Sequence, residues 1–145
     1  MNKKYRGRNV VSGSWGELWW DGDKLAILNK YEIKATPERV DIPGEGLDID
    51  SKIVAVKVEG SFSVKKLYSK NAKRFVEAWK QGLDPRSELI GKIDDPDALG
   101  AERVSVRNVW LNEIAIMNFE KKKEVDEEYK FGCTLSDIDY EESIA

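Results

Sequence analysis

The sequence predicts a mainly β protein, an antiparallel β-sandwich or half-barrel with one amphipathic α-helix, and three observations point there. Long stretches alternate apolar and polar side chains with period two, the pattern of strands that bury one face. A single segment breaks that rhythm with helical spacing. The length, 145 residues, suits one domain that can bury a core without disulfides or metal.

Residues 1–14 read as a basic arm carrying Lys3, Lys4, Arg6 and Arg8. No apolar stretch follows these charges, so the arm is not read as a secretory signal and a cytoplasmic site of assembly is expected. Trp15 to Trp20 reads as the first strand and is apolar on both parities, with Trp15 and Trp19 on one and Leu18 and Trp20 on the other. Such a strand needs cover on both faces. Either the helix lies over the second face or another subunit does, tryptophan being enriched among interface hot spots. Asp21-Gly22 is a hairpin signal, because glycine accepts the positive φ of such turns, and it predicts antiparallel pairing of the first two strands.

In the second strand Leu25, Ile27, Tyr31, Ile33 and Ala35 alternate with Lys24, Lys30, Glu32, Lys34 and Thr36. Residues 41–51, DIPGEGLDIDS, read as a long loop, and loops of about ten or more residues in compact domains tend to be functional or disordered. Leu47 and Ile49 within it call for a docking partner, in the same subunit or a neighbour. The third strand sets Val54, Val56, Val58, Phe62 and Val64 against Lys57, Glu59, Ser61 and Ser63, with Gly60 as an expected bulge or bend. Residues 69–82 form the expected helix: Ala72, Phe75, Val76 and Trp79 share one face, Ser69 can cap the start and Gly82 the end, and Asp84-Pro85 stops it. Residues 101–119 are β-rich but slip parity near Asn108 and Asn112, which fits two strands or one bent strand changing sheets. In the last long strand Val125, Tyr129, Phe131, Cys133 and Leu135 alternate with Glu124, Asp126, Glu128 and Lys130. At a sheet edge its backbone would recruit another chain. An acidic tail, 137–145, closes a single domain spanning 1–145.

The composition excludes much chemistry. With no histidine and one cysteine there is no imidazole base, no Ser-His or Cys-His pair and no disulfide within the chain. No apolar run approaches the ~20 residues of a membrane helix. Charged residues make up 35% of the chain, yet the net charge is −3, which is not the balance of a bulk nucleic-acid binder. The signs are segregated. From Glu124 to Glu142 eight acids meet one base, Lys130, so this stretch carries −7 and the rest of the chain +4. The basic head and acidic tail are candidates to pair between copies. The acid clusters at 94–102 and 45–50 lack the spacing of a calcium loop, and no phosphate-binding GxxxxGK[ST] loop is present. No catalytic residue, metal site or cofactor is assigned.

The order of several short motifs resembles a known family. SGSWGELWWDGDKLA spans Ser12 to Ala26, VEGSF Val58 to Phe62, KQGLDP Lys80 to Pro85, IDDPDALGAERV Ile93 to Val104 and EEYKFGCTLSDID Glu127 to Asp139. The set is similar to the tail tube proteins of contractile-tailed bacteriophages, in the branch found in Gram-positive defective prophages and phage-tail-like bacteriocins. That resemblance implies hexameric rings whose strands merge into a continuous inner β-barrel, stacked into a rigid tube that a contractile sheath drives through a target cell envelope. It implies as partners the chain itself, the sheath, baseplate and tail-terminator proteins, and a tape-measure protein in the bore before firing. DNA would be passing cargo in a phage, and ions would pass in a bacteriocin.

On that reading Trp15, Trp19, Trp20, Glu45, Leu47 and Ile49 are the expected subunit interface. Lys57, Glu59, Ser61, Ser63, Glu124, Asp126 and Glu128 are expected to line the lumen. The charged termini Lys3, Lys4, Arg6, Arg8, Asp139, Glu141 and Glu142 are expected to bridge rings. A weakly negative bore requires that Lys57 pair with Glu59 or an acid across strands. The readings from other classes are a monomeric β-sandwich binding module for carbohydrate or protein, using exposed tryptophan as a platform, and a carboxylate hydrolase. A secretion-system tube is a closer rival.

Overall fold

The computed structural model describes residues 4–145; Lys3 lies outside them. Eight strands and one helix follow in the order β1 (Gly16–Trp20), β2 (Asp23–Lys24), β3 (Leu28–Pro43), β4 (Ile49–Lys65), α1 (Lys70–Lys80), β5 (Ser87–Ile93), β6 (Glu102–Glu113), β7 (Asp126–Cys133) and β8 (Ile138–Glu142). The eight strands are joined in one antiparallel sheet, β2-β1-β5-β6-β7-β4-β3, with β8 also paired to β6. The mainly β fold with one helix is as the sequence predicts.

One core gathers the inward faces. Trp20 lies 5.3 Å from the Phe62 ring, 5.5 Å from Tyr129 and 5.7 Å from Phe75 of α1, centroid to centroid. Since β1 is not a ladder neighbour of β4 or β7, these contacts show that the sheet curls back on itself. Leu18, Val58, Leu89, Val106, Val109, Leu111, Phe131 and Cys133 complete the buried cluster.

The parity slip in residues 101–119 is resolved as one bent strand. The first half of β6 pairs with β5 and β8, and its second half, Trp110 to Glu113, with β7. Between them Asn108 has φ 54, a left-handed geometry that asparagine tolerates better than most residues.

Several expectations are corrected. The Asp21-Gly22 turn forms, with φ of 50 and 87 at its two residues, but it joins β1 only to the two-residue β2. The long second strand starts at Leu28 and pairs with β4 instead. The loop expected at 41–51 is mostly strand: β3 continues to Pro43, β4 resumes at Ile49, and only residues 44–48 turn. Gly60 is not a bulge, since its pairing with Ile33 and Phe131 is continuous. It is needed because a Cβ there would stand 2.4 Å from both the Glu32 carbonyl oxygen and the Phe131 ring. The ladder slips instead between Glu38 and Arg39, and Val54 beside the slip is exposed rather than in the core. β7 is not an edge, being held between β4 and β6. Leu135 falls beyond it, in a half-exposed 3-10 turn.

Of its expected inner face, the helix has Ala72 and Phe75 buried and Val76 half-buried, but Trp79 near the end is exposed, with the indole ring edge-on to Phe75. Its start lacks the expected cap, as the Ser69 hydroxyl makes no capping bond. Its end is closed by Gly82 at φ 74: the Gly82 N–H donates to Trp79 O and the Leu83 N–H to Ala78 O, the paired bonds of a Schellman motif. Cys133 is buried, and desolvation, with the Asp137 charge adding to it, pushes its thiol up to about 11. This is the pattern of an inert core cysteine.

The close approach at Gly60 yields a test. Gly60→Ala should lower stability by about 1–3 kcal/mol, since Glu32 backbone and a packed ring must both shift. An unchanged urea midpoint would contradict the packing described here.

Candidate assembly surfaces

The period-two geometry of β3, β4 and β7 builds one continuous polar face. Across these strands Lys30, Ser63 and Glu128 are in register, as are Glu32, Ser61 and Lys130, then Lys34, Glu59 and Gly132. Thr36 opposes Lys57, and Lys65 opposes Asp126. The opposite face of the same strands carries Tyr31, Phe62, Tyr129 and Phe131 into the core. The face is shallowly concave, with a groove of about 810 Å³ from Glu32 and Glu38 across Lys57 and Glu59 to Lys130 and Thr134.

The expected lumen residues Lys57, Glu59, Ser61, Ser63 and Glu128 therefore share this face. Asp126 stands at its end, and Glu124 precedes β7 but reaches the same corner through Lys65 at 2.5 Å. The sequence reading set Lys30, Glu32 and Lys34 outward but did not place them beside Ser61 and Ser63. Only the pairing of β3 with β4 does that. Lys130 was likewise set outward without its neighbours, and Glu113 was not singled out.

The charges on the face are compensated in place. Lys57 Nζ lies 3.0 Å from Glu59, Lys34 2.6 Å and Lys30 3.3 Å from Glu32, Lys65 3.3 Å from Asp126, and Lys130 3.0 Å from Glu113. The hydrogen bonds from Lys34 and then Lys30 hold the Glu32 carboxyl below the usual range, and partner hydrogen bonds raise Lys34, Lys57, Lys65 and Lys130. Glu32 contributes stability above its ordinary pKa and loses it as pH falls through the lowered one. The lysines contribute below their ordinary value and lose it as pH rises through the raised one. The pairing thus persists between about pH 5 and 10.

One ionisable residue was missed. Glu127 sits on the apolar parity of β7, opposite Val64, and is 2% exposed. The Tyr129 hydroxyl donates to its Oε2 at 3.1 Å, and Lys66 Nζ stands 4.0 Å from Oε1. Burial, reinforced by the Glu127 charge, pushes the Tyr129 hydroxyl upward. The signal in the sequence was a lone acid in an apolar register. Its effect is to fasten the start of β7, and with it one end of the polar face.

The interface candidates divide. Trp20 is 4% exposed and packed among core rings, so it is withdrawn from the interface set; its parity faces inward because the sheet curls over it. Trp19, on the other face of β1, is half-buried, and Trp15 lies outside the strand in a 3-10 turn and is 50% exposed. Leu47 is fully exposed and Ile49 largely so at the β3–β4 tip, with exposed Glu45 beside them.

Of the terminal charges, Arg8, Asp139 and Glu141 are paired within the subunit. Arg8 pairs with Asp97 at 3.1 Å, the Asn9 side chain donates to Asp97 O, and the Ser12 N–H donates to buried Asp95. Asp95 uses its other oxygen on the Asp97 N–H, so the acid cluster at 94–97 ties down the N-terminal segment. The acidic tail is largely strand β8, where Asp139 pairs with Arg107 and Glu141 with Arg103 at 2.7 Å. Lys4, Arg6 and Glu142 are exposed.

Residues 3–142 match the family described as phage tail tube protein. The chain belongs to that family. It is 26% identical to the phage-like element PBSX protein XkdM of Bacillus subtilis (strain 168), covering 97% of this chain and 96% of XkdM. It is also 26% identical to the uncharacterized protein YqbM of the same organism, covering 96% and 95%. Among solved structures, a chain of the sheath-tube complex of the PVC extracellular contractile injection system aligns with TM-score 0.71 over 92% of each chain at 6% identity. A chain from the tail of an empty gene transfer agent particle, determined with C6 symmetry, aligns with TM-score 0.57 over 96% of this chain and 100% of that one at 15% identity. A tail tube protein is a structural component of a phage-like tail particle and not an enzyme.

Two outcomes are expected. Tyr129→Phe should lower stability by about 1–3 kcal/mol by stripping buried Glu127 of its donor; equality with wild type in urea melts would count against the network. The Glu32 carboxyl should titrate below the usual carboxylate range in an NMR pH titration, and an ordinary value would show that it is not paired with Lys34 and Lys30 as described.

Proposed function

We propose that this chain is the repeating subunit of the inner tube of a contractile tail. Six copies form a ring, and rings stack into a rigid tube that sheath contraction drives through a target cell envelope. The observation that carries this is the section β3-β4-β7, polar on one face and apolar on the other, extended by the second half of β6, whose Trp110 covers Gly132 on the polar side, with an open edge at each side. Among the described residues β3 pairs only with β4, and Trp110 to Glu113 of β6 only with β7. Open edges recruit further strands, and a closed barrel removes them. The C6 symmetry of the similar gene transfer agent tail supports six copies.

Closed in this way, the ring turns the face bearing Lys57, Glu59, Ser61, Ser63, Asp126 and Glu128 to a water-filled bore, with Lys30, Glu32, Lys34 and Lys130 completing it. Side-by-side ion pairs leave little net charge for duplex phosphate to grip, so DNA slides through without sticking, and ions pass where there is no DNA. Trp15 and Trp19 face the neighbouring subunit. Sheath, baseplate and terminator proteins are the outer partners, and a tape-measure protein fills the bore before firing.

With tail assembly partners present, the wild-type chain should form hollow tubes in negative stain, and a particle that stays near 16.5 kDa under those conditions would overturn the reading. Trp19→Asp should remain folded and soluble yet fail to assemble. Tubes of normal length from that variant would remove Trp19 from the interface.

A further inference from the structure

The two ends of the β3–β4 ribbon differ in chemistry. Beyond Val58, which pairs with Cys133 at the end of β7, β4 has β3 as its only ladder neighbour among the described residues. The ribbon overruns the body there, and every residue from 34 to 55 is exposed. It carries Val40, Ile42, Leu47, Ile49, Ile53 and Val54 in solvent, from 43% exposed at Ile42 to 102% at Leu47. A two-stranded ribbon is marginally stable alone in water, and a cluster of exposed apolar side chains marks an interaction site. Four carboxylates, Asp41, Glu45, Asp48 and Asp50, and no base lie between residues 41 and 50.

The opposite end of β4 meets the β6–β7 connection. There Ile116, Met117 and Phe119 are 69–75% exposed, followed by Lys121, Lys122 and Lys123. Lys123 pairs with Glu120 at 3.1 Å, while Lys121 and Lys122 have no ion pair among the described residues. Exposed Leu67 and Tyr68 adjoin this connection, since the Lys66 N–H donates to Val125 O at 2.8 Å.

We infer that the acidic, apolar tip at 41–50 docks on the basic, apolar connection at 114–123 of a second copy in the next ring. Both surfaces pair exposed apolar side chains with charges of opposite sign, the arrangement that fixes register between partners. They lie at opposite ends of one strand, so a copy displaced along β4 presents one to the other. The contact is head to tail, leaves the same two surfaces free at each end of the stack, and therefore propagates instead of closing. It rests on the tube reading, and assigns the receptor of the hairpin tip.

Charge reversal tests the pairing. Tip variant Asp48→Lys/Asp50→Lys and connection variant Lys121→Glu/Lys122→Glu alter only exposed side chains and should melt as wild type does. Each alone should shorten tubes in electron micrographs by about tenfold or more, because like charges now oppose. Both pairs combined in one chain should restore long tubes. Long tubes from either single reversal, or short ones from the combined chain, would overturn this contact while leaving the tube reading intact. Absence of tubes from the wild type itself, with assembly partners present, would overturn both.

Discussion

Strand β4 is 17 residues long, from Ile49 to Lys65, and along it each inward side chain obliges the next one outward. Val58, Phe62 and Val64 packed on the core place Lys57, Glu59, Ser61 and Ser63 on the opposite face. The polar face is therefore not a separate feature added to the fold. It follows from the alternation that builds the core. Gly60 lies where this arrangement is tightest, and the missing side chain there lets the Phe131 ring lie against the strand.

Half of β4 has structural support within the subunit and half does not. Where β7 lies alongside, aromatic rings from three strands and the helix fill the interior at 5.1–5.7 Å centroid spacings. Where β4 overruns β7, the ribbon leaves valine, isoleucine and leucine in water. Apolar surface returned to water costs about 25 cal/mol per Å². On the tube reading, covering this ribbon with neighbouring copies favours the assembled state over an isolated one.

The ion pairs play a different part. Those on the polar face are solvent-exposed and contribute little to folding. Their consequence is electrostatic: lysines set beside acids keep a highly charged surface locally balanced. The terminal segments are held by other means, the Ser12 N–H bonded to buried Asp95 and β8 laddered to β6, with the exposed pairs Arg8–Asp97 and Arg103–Glu141 alongside.

Local patterns were legible in the sequence by themselves. Alternation marked the long strands and their polar faces, helical spacing marked α1, and glycine marked the turns at Gly22 and Gly82, because each depends on residues close along the chain. The paired parities of Trp15 to Trp20 held no such answer, since both are apolar and only the curl of the sheet decides that Trp20 goes inside and Trp19 out. Which strand pairs with Leu28–Pro43, that the acids at 139 and 141 meet arginines of β6, and that residues 41–51 extend a ribbon are likewise tertiary outcomes. Strand pairing joins residues far apart in sequence through backbone groups that every residue carries, so composition and period constrain each strand's faces but not its neighbour.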